Sequence, residues 1–141
     1  MKTILADTGY FIAILNRRDQ LHERAIAASK ALGSFRLVAS EMVLVELLND
    51  FAGRGESLRA AAVSLVEGLR ANPNAVVLVQ TSLQFRDAIA LYGERPDQSW
   101  SLTDCASCLI MREQGIEEAL AHDKHFEQMG FKALLRDDGS N

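Results

Sequence analysis

LVASEMVLVELLNDF, residues 37–51, changes its period part-way along, and that change decides the fold. Leu37, Val38 and Ala39 form a short apolar run without polar alternation, as expected of a strand covered on both faces. Ser40 then stands where a helix N-cap is needed, and EMVLVELLNDF continues with apolar residues at helical spacing until Gly53 and Gly55 end it. A buried strand feeding directly into a helix is half of a parallel-sheet unit.

The pattern recurs on both sides. Ile4, Leu5 and Ala6 read as a first strand, followed by a helical start through FIAIL, and DQLHERAIAASKALG reads as a helix from near Asp19 to Gly33. Downstream, Leu58, Ala62, Leu65, Val66 and Leu69 form one helical stripe, and Asn72-Pro73-Asn74 breaks it before the strand AVVLV. Phe85, Ala88, Ile89 and Tyr92 share a face of the next helix. GERPDQSW follows as a loop, and Ser101 or Thr103 caps a helix running through DCASCLIMREQ to Gly115. A strand ALAH, a turn DKHFEQMG and a last strand FKALL complete the chain, with a frayed tail expected beyond about residue 136. Short apolar strands alternating with amphipathic helices predict a three-layer α/β/α sandwich around a central parallel sheet, as one domain over residues 1–141.

The totals agree with one core. A chain of 141 residues, 48% hydrophobic and 24% charged, is ordinary for a globular protein. No apolar run approaches the roughly 18 to 20 residues of a spanning helix, and MKTILADTGYFIAIL is interrupted at Asp7 without a signal-peptide cleavage pattern. Two cysteines make no disulfide framework, so free thiols in the cytoplasm are expected. The net charge of -4 lacks the basic footprint usual for nucleic-acid binding, although 11 of the 15 cations are Arg. Carboxylates clustered around a metal would lower the bulk charge without repelling a phosphate at that metal.

Ligands of open parallel sheets bind beyond the carboxyl ends of the strands. Asp7 ends the first strand, Asp123 ends ALAH, and Asp104 opens the helix after the long loop. Glu46 lies among Val43, Leu44, Val45, Leu47 and Leu48. Singly, Asp104 is explained as a first-turn acid and Asp123 as a turn former. Glu46 is harder to dismiss, because a carboxylate in apolar company is costly without a partner. Asp50, one turn on, reads as solvated. Together, four converging carboxylates would repel one another unless a hard divalent cation neutralised them, and oxygen ligands suit Mg²⁺ or Mn²⁺. Such an ion could ionise a water for attack on a phosphodiester.

Other chemistries fit less well. Cys105, Cys108, His122 and His125 have near-finger spacing, but the cysteines fall on a helix and His122 on a strand, the reverse of a zinc finger; both thiols read as core. His22, on an exposed helix, reads with the other two histidines as solvated or packed, and His125 and Phe126 as turn and core residues. There is no G-x-S-x-G elbow and no phosphate-cradling glycine loop.

ILADTGYFIAIL, SEMVLVELLN, SLTDCASCLIMREQGI and EALAHDKHF, in that order, resemble the PIN-domain family over nearly the whole chain, in particular the VapC-type toxin ribonucleases. The resemblance implies a Mg²⁺- or Mn²⁺-dependent endoribonuclease acting on single-stranded or structured RNA, the toxin of a type II toxin–antitoxin pair. It maps the acidic positions onto Asp7, Glu46, Asp104 and Asp123, as catalytic and metal-holding groups, and the accompanying hydroxyl onto Thr8. It also implies a homodimer and an antitoxin protein as partner. Ala121 departs from the family, which often has Ser or Thr two residues before the fourth acid. Arg17 and Arg18 are candidates for the RNA backbone. Haloacid-dehalogenase-type phosphatases need a second Asp where Gly9 stands, and receiver domains need an acidic pair that no strand here offers. The competing class is a non-catalytic interaction module that keeps the PIN fold.

Overall fold

The computed structural model describes residues 1–136; the expected frayed tail otherwise lies outside the described residues. Five strands form one sheet: β1 (Lys2–Ala6), β2 (Phe35–Ser40), β3 (Ala75–Leu78), β4 (Glu118–Leu120) and β5 (Lys132–Ala133). All neighbours pair in parallel, in the order β3-β2-β1-β4-β5. The helices are α1 (Thr8–Leu15), α2 (His22–Leu32), α3 (Glu41–Phe51), α4 (Glu56–Ala71), α5 (Ser82–Glu94), α6 (Leu102–Gln114) and α7 (Lys124–Gln128).

Strand periodicity divides the apolar residues between two cores. Ile4 and Ala6 of β1, Ala39 of β2 and Leu120 of β4 join Phe11, Val43, Leu47, Phe51 and Ala62 on the face covered by α1 to α4. Leu5, Val38 and Ala119, one residue out of step, meet Ile110, Met111 and Phe126 of α6 and α7 on the other. The predicted sandwich is therefore present, with β1 at its centre. Ile4, Leu5 and Ala6 have no exposed surface, which is why their run shows no polar alternation.

The caps follow from local chemistry. Ser40 Oγ accepts from the Val43 N–H at 3.2 Å, as its position before α3 demands. Ser101, the first of the two candidate caps, forms a capping box with Asp104. Gly115 ends α6 at φ +67°, a left-handed conformation in which a side chain would be strained.

Several elements depart from the sequence reading. DKHFEQMG is not a turn: Lys124–Gln128 is helical, with Asp123 as its N-cap. A single turn of helix is too short to show a period, so composition alone reads as turn. ALAH and FKALL shrink to β4 and β5, three and two residues long. The α2 helix begins at His22, after the bonded turn at Asp19. Of the residues that share a face of α5, Ala88 is buried while Phe85, Ile89 and Tyr92 remain 45%, 46% and 56% exposed, because α5 packs through Ala88 and Leu91. Of the two readings of His22, the packed one holds: it is half-buried, with Nδ1 2.7 Å from the Ala13 carbonyl oxygen.

Candidate active site

Asp7 continues β1 by one bond, its N–H donating to the Leu120 carbonyl at 3.1 Å, and then takes the N-cap position of α1. Its side chain makes no capping bond. The carboxyl is left at the carboxyl end of the central strand, 9% exposed. Its pKa is pushed up from 3.8 to about 7, first by burial and then by the charge of Asp104, with Glu46 and Asp123 adding to the rise and the Thr8 N–H opposing it. Asp7 thus feels the other three acids at once.

Thr8, in the first turn of α1, reaches across to α3: its hydroxyl donates to Glu46 Oε1 at 2.6 Å. Val43, Leu44 and Leu47 sink α3 into the core, and Glu46 lies half-buried on the intervening side. Asp50 is exposed and pairs with Arg54 at 2.7 Å, away from this chemistry.

Asp104 is 7% exposed and has two tasks. Its Oδ2 accepts from the Ser101 N–H at 2.9 Å, closing the capping box, and lies 2.8 Å from His125 Nδ1. Asp123 is more open. Its Oδ1 accepts from the His125 N–H at 3.1 Å and also stands 3.1 Å from His125 Nδ1. Ala121 is buried against Leu5 and Phe126 and offers no side-chain bond to Asp123; the capping contact to α7 orients that carboxylate.

His125 was not among the residues read as functional, yet its ring stands between two of the acids. Ser99 Oγ lies 3.2 Å from Nε2, fixing the other side of the imidazole. The loop carrying Ser99 is tied down by Trp100, whose Nε1 donates to Gln128 Oε1 at 3.0 Å and whose ring lies 4.9 Å beneath the Arg95 guanidinium. The signal for His125 was the Asp-x-His spacing, informative only once Asp123 is seen as the cap of a helix: the residue at the second helical position then returns to the cap.

The residues fit a divalent cation. Among the described residues, neither Lys nor Arg forms an ion pair with any of the four acids. Among the same residues, Asp104, Asp123 and His125 are the group whose ligand atoms all approach within 4.8 Å of one another. Cys105 and Cys108 are free and buried, and burial pushes both thiols above their usual range, so the finger-like pattern is core packing.

This fold and acidic cluster define a class. The PIN-domain family model matches residues 4–132, and the chain belongs to that family. Among solved structures it is similar to the Mycobacterium tuberculosis VapC20 toxin, a sarcin–ricin loop cleaving toxin, at 26% identity over 91% of this chain and 95% of that one, with a TM-score of 0.80. No curated protein matches the chain in sequence.

Proposed function

We propose that the protein is a metal-dependent endoribonuclease, the toxin of a toxin–antitoxin pair, acting in the cytoplasm. One observation carries the chemistry. Asp7, Glu46, Asp104 and Asp123 come from four separate stretches, and Asp7, nearly buried at the carboxyl end of the central strand, has its pKa raised to about 7 by that burial and by the charges of the other three. A Mg²⁺ or Mn²⁺ ion bound there would supply the positive field that stabilises phosphoryl oxygens and acidifies an attacking water. Asp7, Asp104 and Glu46 would hold the ion, with Asp123 assisting from the rim. Thr8 fixes the Glu46 carboxylate by its 2.6 Å bond, so that group need not reorganise when the ion arrives. Ser101 orients Asp104 in the same way, through its backbone N–H.

Substrate and partners enter as part of this reading. The similarity to a toxin that cleaves the sarcin–ricin loop supports RNA as the substrate. Arg18 and Arg24 line an open groove with His122, the residue before Asp123, where a phosphate backbone would find cations. An antitoxin and a second copy of the chain are the expected protein partners. The exposed Phe85, Ile89 and Tyr92 form the kind of apolar surface an interface covers. No helix among the described residues is long and apolar enough to cross a membrane.

The test is incubation of single-stranded and hairpin RNA with the protein in Mg²⁺, in Mn²⁺ and in EDTA, alongside Asp7→Asn. Cleavage should need the ion and vanish in the variant. Cleavage that persists under chelation would rule out the metal role, and no cleavage with either ion would favour the non-catalytic module.

A further inference from the structure

An imidazole in this cluster is unexpected if oxygen ligands alone are to hold the ion. His125 Nδ1 lies 2.8 Å from Asp104 Oδ2 and 3.1 Å from Asp123 Oδ1, with only 13% of its side chain exposed. An ion bound by both carboxylates is within reach of that nitrogen, because the three ligand atoms share one small space. Leaving the ring as a bystander would place a cation against an N–H donor, which is repulsive.

Ser99 removes that conflict. A hydroxyl both donates and accepts, so the Ser99 Oγ contact at Nε2 survives either tautomer. With the proton on Nδ1, that N–H donates to Asp104 Oδ2 and Nε2 accepts from Ser99 Oγ. With the proton on Nε2, that N–H donates to Ser99 Oγ and the Nδ1 lone pair faces the two carboxylates. The contact needed to orient a ligating histidine is therefore already in place.

Resting on the proposed metal site, we infer that His125 makes it a mixed nitrogen and oxygen centre that selects Mn²⁺ and later transition ions over Mg²⁺. Mg²⁺ retains water and takes oxygen ligands, whereas divalent transition ions gain from an imidazole, increasingly along the series from Mn²⁺. Abundant Mg²⁺ would then support the site less well than scarcer Mn²⁺.

The experiment is calorimetric titration of the full chain with MnCl₂ and with MgCl₂, for wild type, His125→Ala and Asp104→Asn. Pulsed electron paramagnetic resonance of the Mn²⁺-loaded wild type accompanies it and requires no variant to fold. Nitrogen modulation of the Mn²⁺ signal is expected, lost in His125→Ala although His22 and His122 remain. The same variant should weaken Mn²⁺ by about tenfold or more while changing Mg²⁺ much less. An oxygen-only Mn²⁺ signal, or equal weakening of both ions, would overturn the selectivity while the metal site itself stands. Asp104→Asn binding both ions like wild type, or no binding by wild type, would instead remove the underlying metal site and the selectivity with it.

Discussion

Replacing Asp7 by Asn should stabilise the metal-free protein while destroying its activity. In the folded chain the Asp7 pKa rises from 3.8 to about 7, chiefly through burial and the charge of Asp104. A raised carboxyl pKa means that folding favours the protonated form. The penalty is absent below about pH 4, where Asp7 is protonated folded or unfolded. It grows as the unfolded chain ionises and is complete above about pH 7, where the folded group must ionise too. At roughly 1.4 kcal/mol per unit, the full penalty is about 4 kcal/mol. Asn has nearly the same shape and no charge to desolvate. Even if relaxation halves the effect, about 2 kcal/mol remains, which in a domain of this size moves the melting temperature by about 7 °C. The assay is thermal unfolding in EDTA at pH 8 and at pH 4.5, with RNA cleavage measured in parallel. Asp7→Asn should melt higher than wild type at pH 8, the gap should shrink at pH 4.5, and Mn²⁺ should raise the wild type more than the variant. An Asp7→Asn protein that melts at or below wild type at pH 8 would refute the claim that the site stores unneutralised charge.

Three further outcomes follow from the same geometry. Thr8→Val, which keeps the side-chain shape but loses the 2.6 Å bond to Glu46, should lower kcat by about 10- to 100-fold with an unchanged circular dichroism spectrum; full activity would leave Thr8 without a role in holding Glu46. Arg18→Ala should weaken RNA binding regardless of sequence and reduce the slope of log affinity against log salt by about 1, measured by fluorescence anisotropy across a salt series; an unchanged slope would remove Arg18 from the RNA path. Ile89→Asp, at a position 46% exposed, should leave the melting temperature within about 0.5 kcal/mol equivalent of wild type but shift sedimentation from dimer to monomer; an unchanged mass would place any interface elsewhere.

The sheet was readable from sequence because its strands are short and covered on both faces. Ile4-Leu5-Ala6 and Leu37-Val38-Ala39 carry no polar residue, and only a parallel sheet with helices on both sides demands that. The α7 helix and the outward face of α5 were not readable, for different reasons. Five residues give no period to detect in the first case. In the second, the helical stripe was real, but periodicity says that residues share a face without saying what covers it. Phe85, Ile89 and Tyr92 share a face that α6 does not reach, since α5 contacts its neighbours through Ala88 and Leu91.

The acids illustrate why a catalytic reading of single residues is weak and of a set is strong. Asp104 does close a capping box and Asp123 does cap a helix, so the ordinary explanation for each is correct as far as it goes. In each, the oxygen that accepts the backbone N–H also approaches His125 Nδ1, so those bonds leave the second oxygen of each carboxylate over. Asp7 differs. It sits at an N-cap position without capping, is nearly buried, and is forced toward neutrality first by that burial and then by three acids distant in sequence, Asp104 foremost. A helix N-cap that declines its usual hydrogen bond while bearing that burden has no structural explanation, because Ser or Asn would cap better and cost less. On the proposed metal reading, the carboxylate at position 7 is accounted for by the ion it would bind, and the caps at Asp104 and Asp123 would be the means by which the fold aims two more carboxylates at that ion.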